Sequence, residues 1–369
     1  MEKLKKLSNT IINYSLDIKK NDKVLITVES LEPKELVKQL IKDIISNEGI
    51  PFVKIIDKEI NSLLLTNTND ERIKTLSKIE EFEVDNYDAF ISIRYSTNEY
   101  ESHNVLSETR RKIGNAIGKI HDIRINKRKW VLLNYPSKLD AYLSKMTYDE
   151  FKEFSFDVMT FDYEKMYEDI KPLKELMEKT NKVRIKSPNT DITFSIKNIP
   201  VIPCCGKYNI PDGEIYTAPI KDSVNGIITY NTPSPYNGNI YNNVSLEFKD
   251  GKIINATCDN DNNSLNEIFD TDEGSRYIGE FAIGINPMIL KPMGDILYDE
   301  KIIGSIHFTP GRCYEDADNG NKSSIHWDMV LIQREEYGGG ELYFDDVLIR
   351  KDGIFVIDEL KHLNYHLNK

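Results

Sequence analysis

The first half of the chain alternates short apolar runs with stretches whose apolar residues recur every three or four positions. Lys23–Val28 is an apolar run that follows a polar pair, a pattern typical of a buried strand. Residues 33–46 carry apolar side chains at helical spacing and begin with a proline, which suits a first helical turn. Similar patterns predict further strands at 51–56, 89–94 and 130–133, and helices at about 107–120 and 163–179. This order predicts a mostly parallel sheet covered by helices.

Strand patterns dominate beyond about residue 180. Residues 183–185 and 192–196 are apolar runs on either side of a Pro-Asn-Thr-Asp turn cluster. Asp-Gly pairs, which favour tight turns, then recur at 212–213, 250–251 and 352–353. The sequence therefore predicts an α/β protein of two domains. Residues 1–180 would form an α/β domain with a mostly parallel sheet, and residues 181–369 a β-rich domain.

Composition narrows the classes of protein to which this chain can belong. Its 369 residues suit two domains. The formal net charge of -12 argues against nucleic-acid binding and against docking on anionic lipid, because both need a basic surface. The four cysteines include no CxxC pair, which excludes a zinc ribbon and favours reduced thiols. No apolar signal segment begins the chain, and no apolar run reaches the roughly 18 residues of a membrane span, so we expect a cytoplasmic protein.

Histidine is scarce, with six in the chain, so the surroundings of each are informative. His326, Trp327 and Asp328 lie within an apolar run that predicts a strand. Because side chains alternate along a strand, His326 and Asp328 are expected on one face and Trp327 on the other. An imidazole and a carboxylate on the same face can bind one metal ion together. The alternative is a hydrogen-bonded pair with a purely structural role.

Four more residues carry candidate chemistry. His307 lies at a predicted strand end, and Tyr314 follows in a loop from which its hydroxyl could stabilise a developing oxyanion. Glu214 and Glu280 each follow a glycine and lead into apolar residues, and a buried carboxylate needs a partner charge or a metal. Simpler interpretations stay open. His307 could be a hydrogen-bonded core histidine, Tyr314 a surface tyrosine, and the two glutamates turn residues that reach solvent.

Several segments, taken in order, carry a resemblance to a known family. They are NIPDGEIYTAP, IGEFAIGINP, GSIHF and HWDMV, followed by the tail GGGELYFDDVLIRKDGIFV. Together they resemble the aminopeptidase T/S family of metallopeptidases, also called the thermophilic metalloproteases. The resemblance implies a two-metal site. Its ligands would be Glu214, Glu280, His307, His326 and Asp328.

The resemblance also implies an activity and a catalytic arrangement. Two divalent cations, with zinc, cobalt, manganese and magnesium as candidates, would activate a shared water for attack on a peptide carbonyl. Glu280 would bridge the metals or shuttle a proton to the leaving amine, and Tyr314 or one metal would stabilise the oxyanion. The expected protein is a homodimeric metalloaminopeptidase that acts on peptides, with its metals in a barrel-like C-terminal domain. Asp212 departs from the family pattern, in which a small or hydroxylic residue is more usual.

Two other functions fit part of the pattern. His307, His326 and Asp328 alone form the two-histidine, one-carboxylate set of mononuclear non-haem iron enzymes, and ring-cleaving dihydroxypyridine dioxygenases are similar to this peptidase family. Retention of both Glu214 and Glu280 favours two metals over a single iron. The third interpretation is a peptide- or metal-binding protein without catalysis. A complete set of ligand residues argues against it, because unpaired buried carboxylates cost stability.

Overall fold

The computed structural model describes residues 2–98 and 100–365. Its helices are α1 (Glu2–Asn9), α2 (Lys34–Ser46), α3 (Lys58–Thr66), α4 (Asp70–Asn86), α5 (Ser107–Lys127), α6 (Lys138–Leu143), α7 (Tyr148–Met159), α8 (Tyr163–Asp169), α9 (Lys171–Lys179), α10 (Asn262–Phe269) and α11 (Ile296–Asp299). Its strands are β1 (Lys23–Val28), β2 (Ile50–Ile55), β3 (Ala89–Arg94), β4 (Lys129–Asn134), β5 (Lys182–Ser187), β6 (Thr190–Ser195), β7 (Ile202–Cys204), β8 (Asn209–Ile210), β9 (Glu214–Thr217), β10 (Asn225–Thr229), β11 (Ser234–Tyr236), β12 (Asn239–Tyr241), β13 (Ser245–Lys249), β14 (Lys252–Thr257), β15 (Ile278–Gly284), β16 (Ser305–Pro310), β17 (Val330–Ile332), β18 (Glu341–Phe344), β19 (Val347–Lys351) and β20 (Ile354–Phe355).

The chain divides into two compact units. Unit 1 is Met1–Phe161 with Gly206–Pro211, and unit 2 is Asp162–Cys205 with Asp212–Lys369. The helices α8 and α9, which the sequence pattern assigned to the first domain, are part of unit 2. The domain limits 1–180 and 181–369 stay a prediction.

Unit 1 is built on a parallel sheet with the strand order β2-β1-β3-β4-β8. The parallel pairing of β1 with β2 and β3, and of β3 with β4, confirms the arrangement predicted from alternating strands and helices. The apolar side chains of β1, β3 and β4 pack against α1 and α2, and this burial is the main stabilising contribution to the unit. Fully buried members of this core include Leu7, Ile26, Leu36, Leu40, Ile91 and Leu133.

Unit 2 is β-rich, as predicted, and most of its strands belong to two antiparallel sheets. The larger sheet has the order β14-β13-β10-β6-β5-β18-β19-β20, and the smaller has the order β17-β16-β15-β9-β7. Phe281 and Phe308 of the smaller sheet pack on Phe194 of the larger, each with ring centroids 5.0 Å apart. These aromatic contacts hold one face of the smaller sheet against the larger sheet, which leaves the other face to carry polar side chains.

Some helices differ from the sequence prediction. The pattern predicted no helix at α4, and it ended the helix at α5 near residue 120. The reason is that α5 has no fully buried side chain and α4 buries only Ile73 and Val84, so neither shows a clear apolar stripe. The helix predicted over 163–179 is two helices, because Pro172 lies in the first turn of α9 and cannot continue a preceding helix. In the part of the chain that the structure describes, no helix is long and apolar enough to cross a membrane.

Candidate metal centre

One face of the smaller sheet of unit 2 collects the residues of interest. Side chains two positions apart on a strand share a face, so Glu280 and Ala282 of β15 point the same way, opposite to the phenylalanines. The strand register sets His307 beside Ala282, and Glu214 beside Gly284. Glu214, Glu280 and His307 therefore share the face that does not contact the larger sheet.

The segment with His326, Trp327 and Asp328 differs from the predicted strand. Regular strand β17 begins only at Val330, and the preceding residues run beside β16 through isolated hydrogen bonds, such as Trp327 N–H to Pro310 O at 3.1 Å. The predicted alternation of side chains nevertheless holds. Trp327 is 3% exposed among aromatic rings, whereas the His326 ring faces the Asp328 carboxylate, with Nε2 to Oδ1 at 3.3 Å.

Glu280 lies between the two histidines. Its Oε1 is 3.1 Å from His307 Nε2, and its Oε2 is 3.3 Å from His326 Nε2. His307 Nε2 is also 3.5 Å from Glu214 Oε2. The five residues that the family resemblance singled out thus meet in one cluster. Glu280 and His307 are 3% and 1% exposed, so their charges must be balanced inside the protein.

Each histidine is oriented through its other ring nitrogen. His307 Nδ1 lies 3.2 Å from the carbonyl oxygen of Glu300, and His326 Nδ1 lies 2.7 Å from that of Arg312. Because a carbonyl oxygen only accepts, Nδ1 is the donor in both rings. When the rings are neutral, both Nε2 lone pairs therefore point into the cluster, which is the usual arrangement of metal-ligating histidines.

Gly279 lets the loop that carries Tyr314 approach strand β15. A Cβ at this position would lie 2.3 Å from the carbonyl oxygen of Arg312, which is closer than real contacts allow. At the same point the pairing of β15 with β16 shifts register between Ile278 and Glu280. A local irregularity of this kind re-aims the neighbouring side chain. A glycine is therefore needed directly before Glu280, because a larger residue would push away the loop that carries Tyr314.

Two residues that the sequence analysis did not single out join the cluster. The carboxylate of Glu300 lies near Glu214 and His307, with one potential ligand atom of each residue within 4.8 Å of the others. Lys301 is fully buried, and its Nζ is 3.0 Å from Glu214 Oε1. Both residues lie in the connection between α11 and β16, which has no periodic pattern. Only the charged run Asp299-Glu300-Lys301 just before GSIHF could have indicated them.

The charges in the cluster shift the pKa values of its members. Burial lowers the pKa of His307, but the hydrogen bond to Glu280 and the charge of Glu214 outweigh burial and raise it to about 10. Burial raises the pKa of Glu280, yet its contacts with His307 and His326 hold it below its usual value. For Glu300, burial dominates and raises the pKa to about 8. Protonated histidines thus balance part of the carboxylate charge.

The chemistry of the cluster fits divalent cations. Two buried atoms that face it, Glu214 Oε2 and His326 Nε2, make no hydrogen bond to any described residue. A buried polar atom without a partner costs about 1–3 kcal/mol, so such atoms in a native protein call for a ligand. Carboxylate oxygens combined with imidazole nitrogens are a common donor set for zinc and suit several other divalent metals.

Tyr314 stands at the rim of the cluster. Its ring centroid is 4.7 Å from that of His326 and 5.5 Å from that of Tyr216. The Tyr216 hydroxyl donates to the Asp316 carboxylate at 2.8 Å, which fixes the neighbouring ring. Tyr314 itself is 41% exposed, so a bound molecule can reach its side chain.

Comparison with known proteins gives a family and several relatives. The family model described as thermophilic metalloprotease (M29) matches residues 1–354. Aminopeptidase 2 of Geobacillus stearothermophilus is 31% identical over 163 residues, which cover 39% of this chain and 37% of the relative. Aminopeptidase AmpS of Bacillus subtilis is 40% identical over 126 residues, 33% of this chain and 30% of the relative. These alignments span 37% and 30% of the relatives' own length.

A solved structure shares the fold. Wild-type AmpT from Thermus thermophilus matches with a TM-score of 0.78 and 18% sequence identity, and the match covers 96% of this chain and 99% of that chain. The α/β arrangement followed by a β-rich part is therefore confirmed by a known fold. The relatives reported are aminopeptidases, and the ring-cleaving dioxygenase finds no support among them.

Proposed function

Because the chain belongs to the thermophilic metalloprotease (M29) family, we propose that it is a metal-dependent aminopeptidase that releases single residues from the N-termini of peptides. The names of its relatives and the donor set of the cluster support this activity. Its substrates would be peptides with a free N-terminus. Nucleic acids and membranes are not expected partners of a chain with a formal net charge of -12.

The observation that carries the proposal is the position of Glu280. Its two carboxylate oxygens face different histidines, at 3.1 Å from His307 and 3.3 Å from His326. Glu214 lies beside the first histidine and Asp328 beside the second. This arrangement supports a site in which Glu214, Glu280, His307, His326 and Asp328 would together hold two divalent cations.

The side chains have separate tasks in peptide hydrolysis. When bound, divalent cations supply a Lewis acid that polarises the peptide carbonyl and lowers the pKa of water. The carbonyl oxygens of Glu300 and Arg312 hold the two imidazoles in the orientation that presents Nε2. Thr309 Oγ1 donates to Asp328 Oδ1 at 2.7 Å and so fixes that carboxylate. The Glu280 carboxylate would accept the proton of the attacking water and pass it to the leaving amine.

We expect the Tyr314→Phe variant to lose about 10²-fold in kcat with little change in KM. The hydroxyl at the rim of the cluster would donate to the oxyanion, and removal of one oxyanion donor typically costs about 10²–10³ in kcat. Steady-state kinetics on a leucine-containing dipeptide measures both constants. The control is Tyr142→Phe, since Tyr142 is 78% exposed and lies in unit 1. A parent-like kcat in Tyr314→Phe would remove this tyrosine from the mechanism.

A pair of peptides tests the exopeptidase activity itself. The protein, reloaded with zinc, cobalt or manganese, is expected to hydrolyse a leucine-containing dipeptide and to leave its N-acetylated form intact. The reason is that an aminopeptidase recognises the free amino terminus. Equal cleavage of both peptides would contradict the aminopeptidase assignment. Oxygen uptake with a hydroxylated pyridine and iron, without peptide cleavage, would instead support a ring-cleaving dioxygenase.

The metal, the assembly and the location complete the proposal. Zinc, cobalt, manganese and magnesium are the candidate metals, and the imidazole donors favour zinc over magnesium, which prefers oxygen ligands. Two ions per chain are proposed. The homodimer is proposed on the family resemblance alone, and the cytoplasmic location on a cysteine usage that favours reduced thiols. Light scattering of the purified protein measures the mass, and a value near 42.7 kDa would contradict the dimer.

A further inference from the structure

Lys301 is a fully buried lysine at the edge of the candidate metal centre. Its ammonium contacts the Glu300 carboxylate, lies 3.0 Å from Glu214 Oε1, and is 4.0 Å from Asp212 Oδ1. Lysine is almost never fully buried unless it is paired, because loss of hydration disfavours its charge. A buried ammonium beside three carboxylates is therefore held by strong electrostatic attraction.

Hydrogen bonds hold the backbone of Lys301 in place on both sides. Its N–H donates to the Tyr298 carbonyl at 3.0 Å, and its carbonyl accepts from the Asn286 N–H at 3.0 Å. A Cβ on Gly284 would lie 2.3 Å from the next carbonyl oxygen, that of Ile302, so a glycine is needed for this close approach. The fold thus fixes the main chain on both sides of Lys301, and the side chain extends into the cluster.

The contact with Lys301 sets the orientation of the Glu214 carboxylate. Oε1 of Glu214 accepts from the lysine ammonium, whereas Oε2 makes no hydrogen bond to a described residue and lies 3.5 Å from His307 Nε2. The two oxygens of an ionised carboxylate are chemically equivalent, so the lysine contact fixes the plane of the group and leaves its second oxygen turned to the histidine. Lys301 therefore orients Glu214 toward the histidine.

The charges give a second argument. When ionised, the five carboxylates of the cluster carry -5, and Lys301 contributes +1, which leaves -4 for two divalent cations to balance. Without the lysine, one carboxylate would be left without compensation in a buried site, and it would become protonated or move. The carboxylates counted are those of Asp212, Glu214, Glu280, Glu300 and Asp328.

We propose that Lys301 is a positioning residue of the metal centre: its ammonium stays in place when cations bind, orients Glu214 and Glu300, and supplies the fixed positive charge of the site. This inference rests on the proposed function for its two cations. It assigns a role to a residue that binds neither substrate nor metal. The alternative is that the Lys301 ammonium occupies the position of a cation, in which case it would have to move away when the cation binds.

The test is Mn²⁺ binding by calorimetry to the full chain after chelation. We expect Lys301→Met to bind Mn²⁺ about 10–100-fold more weakly than the parent, the usual loss when a residue that orients a ligand is removed. Lys301→Arg, which keeps the charge, should recover most of this loss. The matched control is Lys182→Met, which breaks an exposed pair with Asp346 in the same unit and should bind as the parent does. Parent-like or tighter binding by Lys301→Met would overturn the proposal.

A second measurement does not depend on the folding of a variant. In the parent protein with ¹⁵N-labelled lysines, the Lys301 ammonium should give a slowly exchanging signal, and this signal should persist after Zn²⁺ is added. Its loss on Zn²⁺ addition would show that the lysine is displaced and would overturn the proposal. These readouts involve no peptide. A parent that binds Mn²⁺ but cleaves no peptide would contradict the proposed function alone.

Discussion

Replacement of Glu280 by glutamine is expected to lower kcat/KM for a leucine-containing dipeptide by about 10²–10⁴-fold, the range that a proton-transferring side chain contributes. The carboxylate faces His307 and His326 with different oxygens, and it is 3% exposed. An amide has one acceptor oxygen and no charge, so it can neither join two cations nor accept a proton from water. Both functions proposed for Glu280 would be lost together.

The same variant should keep its fold, because glutamine has nearly the same shape as glutamate. Circular dichroism and a thermal melt establish this, and Glu247→Gln on the exposed side of β13 is the matched control for the assay. Metal content measured on each protein separates loss of binding from loss of proton transfer. A Glu280→Gln variant with parent-like turnover would exclude both functions of this residue.

Removal of divalent cations by a chelator is expected to abolish peptide hydrolysis and to lower the unfolding temperature. The physical reason is that the buried carboxylates lose the charge that balances them. Ligand linkage gives the size of the effect: a cation at 100 times its Kd stabilises the folded state by about 2.7 kcal/mol. Calorimetric melts with and without added Zn²⁺ or Mn²⁺ measure this shift, and Ca²⁺, which prefers oxygen ligands, is the control ion. An unchanged melting temperature together with full activity after chelation would contradict a metal centre.

The pH dependence of cation binding follows from the histidines. Without a cation, the hydrogen bond to Glu280 and the charge of Glu214 keep the pKa of His307 at about 10, so this ring is protonated at neutral pH. A cation needs the neutral imidazole, and binding therefore releases protons. The affinity for Zn²⁺ should accordingly fall as the pH is lowered and rise as it is raised toward 10, which competition titrations at several pH values measure.

Part of this arrangement follows from local sequence patterns. Alternation along an extended segment predicted that His326 and Asp328 point one way and Trp327 the other, and the contacts agree although the segment is not a regular strand. This feature depends on neighbouring residues, so it can be seen in a single sequence. The close approach of Asn286 and Arg312 to the glycines before Glu214 and Glu280 cannot, because those residues are distant in the chain.

The rest depends on contacts between distant residues. Glu214 and His307 come together only through the pairing of β9 with β15 and of β15 with β16, and no local pattern specifies that register. Glu300 and Lys301 lie in an irregular connection, where a charged run usually indicates a solvated surface. In unit 1, α4 and α5 bury too few side chains to produce a helical stripe, so the sequence underestimates the helices there.

The most direct test of the two-metal aminopeptidase is the number of metal ions per chain, measured together with activity. Chelated protein is reloaded with zinc, cobalt or manganese, freed of excess metal, and measured by elemental analysis alongside hydrolysis of a leucine-containing dipeptide. We expect close to two ions per chain, with cleavage that rises as the sites fill. A single iron per chain and no peptide cleavage at any metal loading would contradict the proposal.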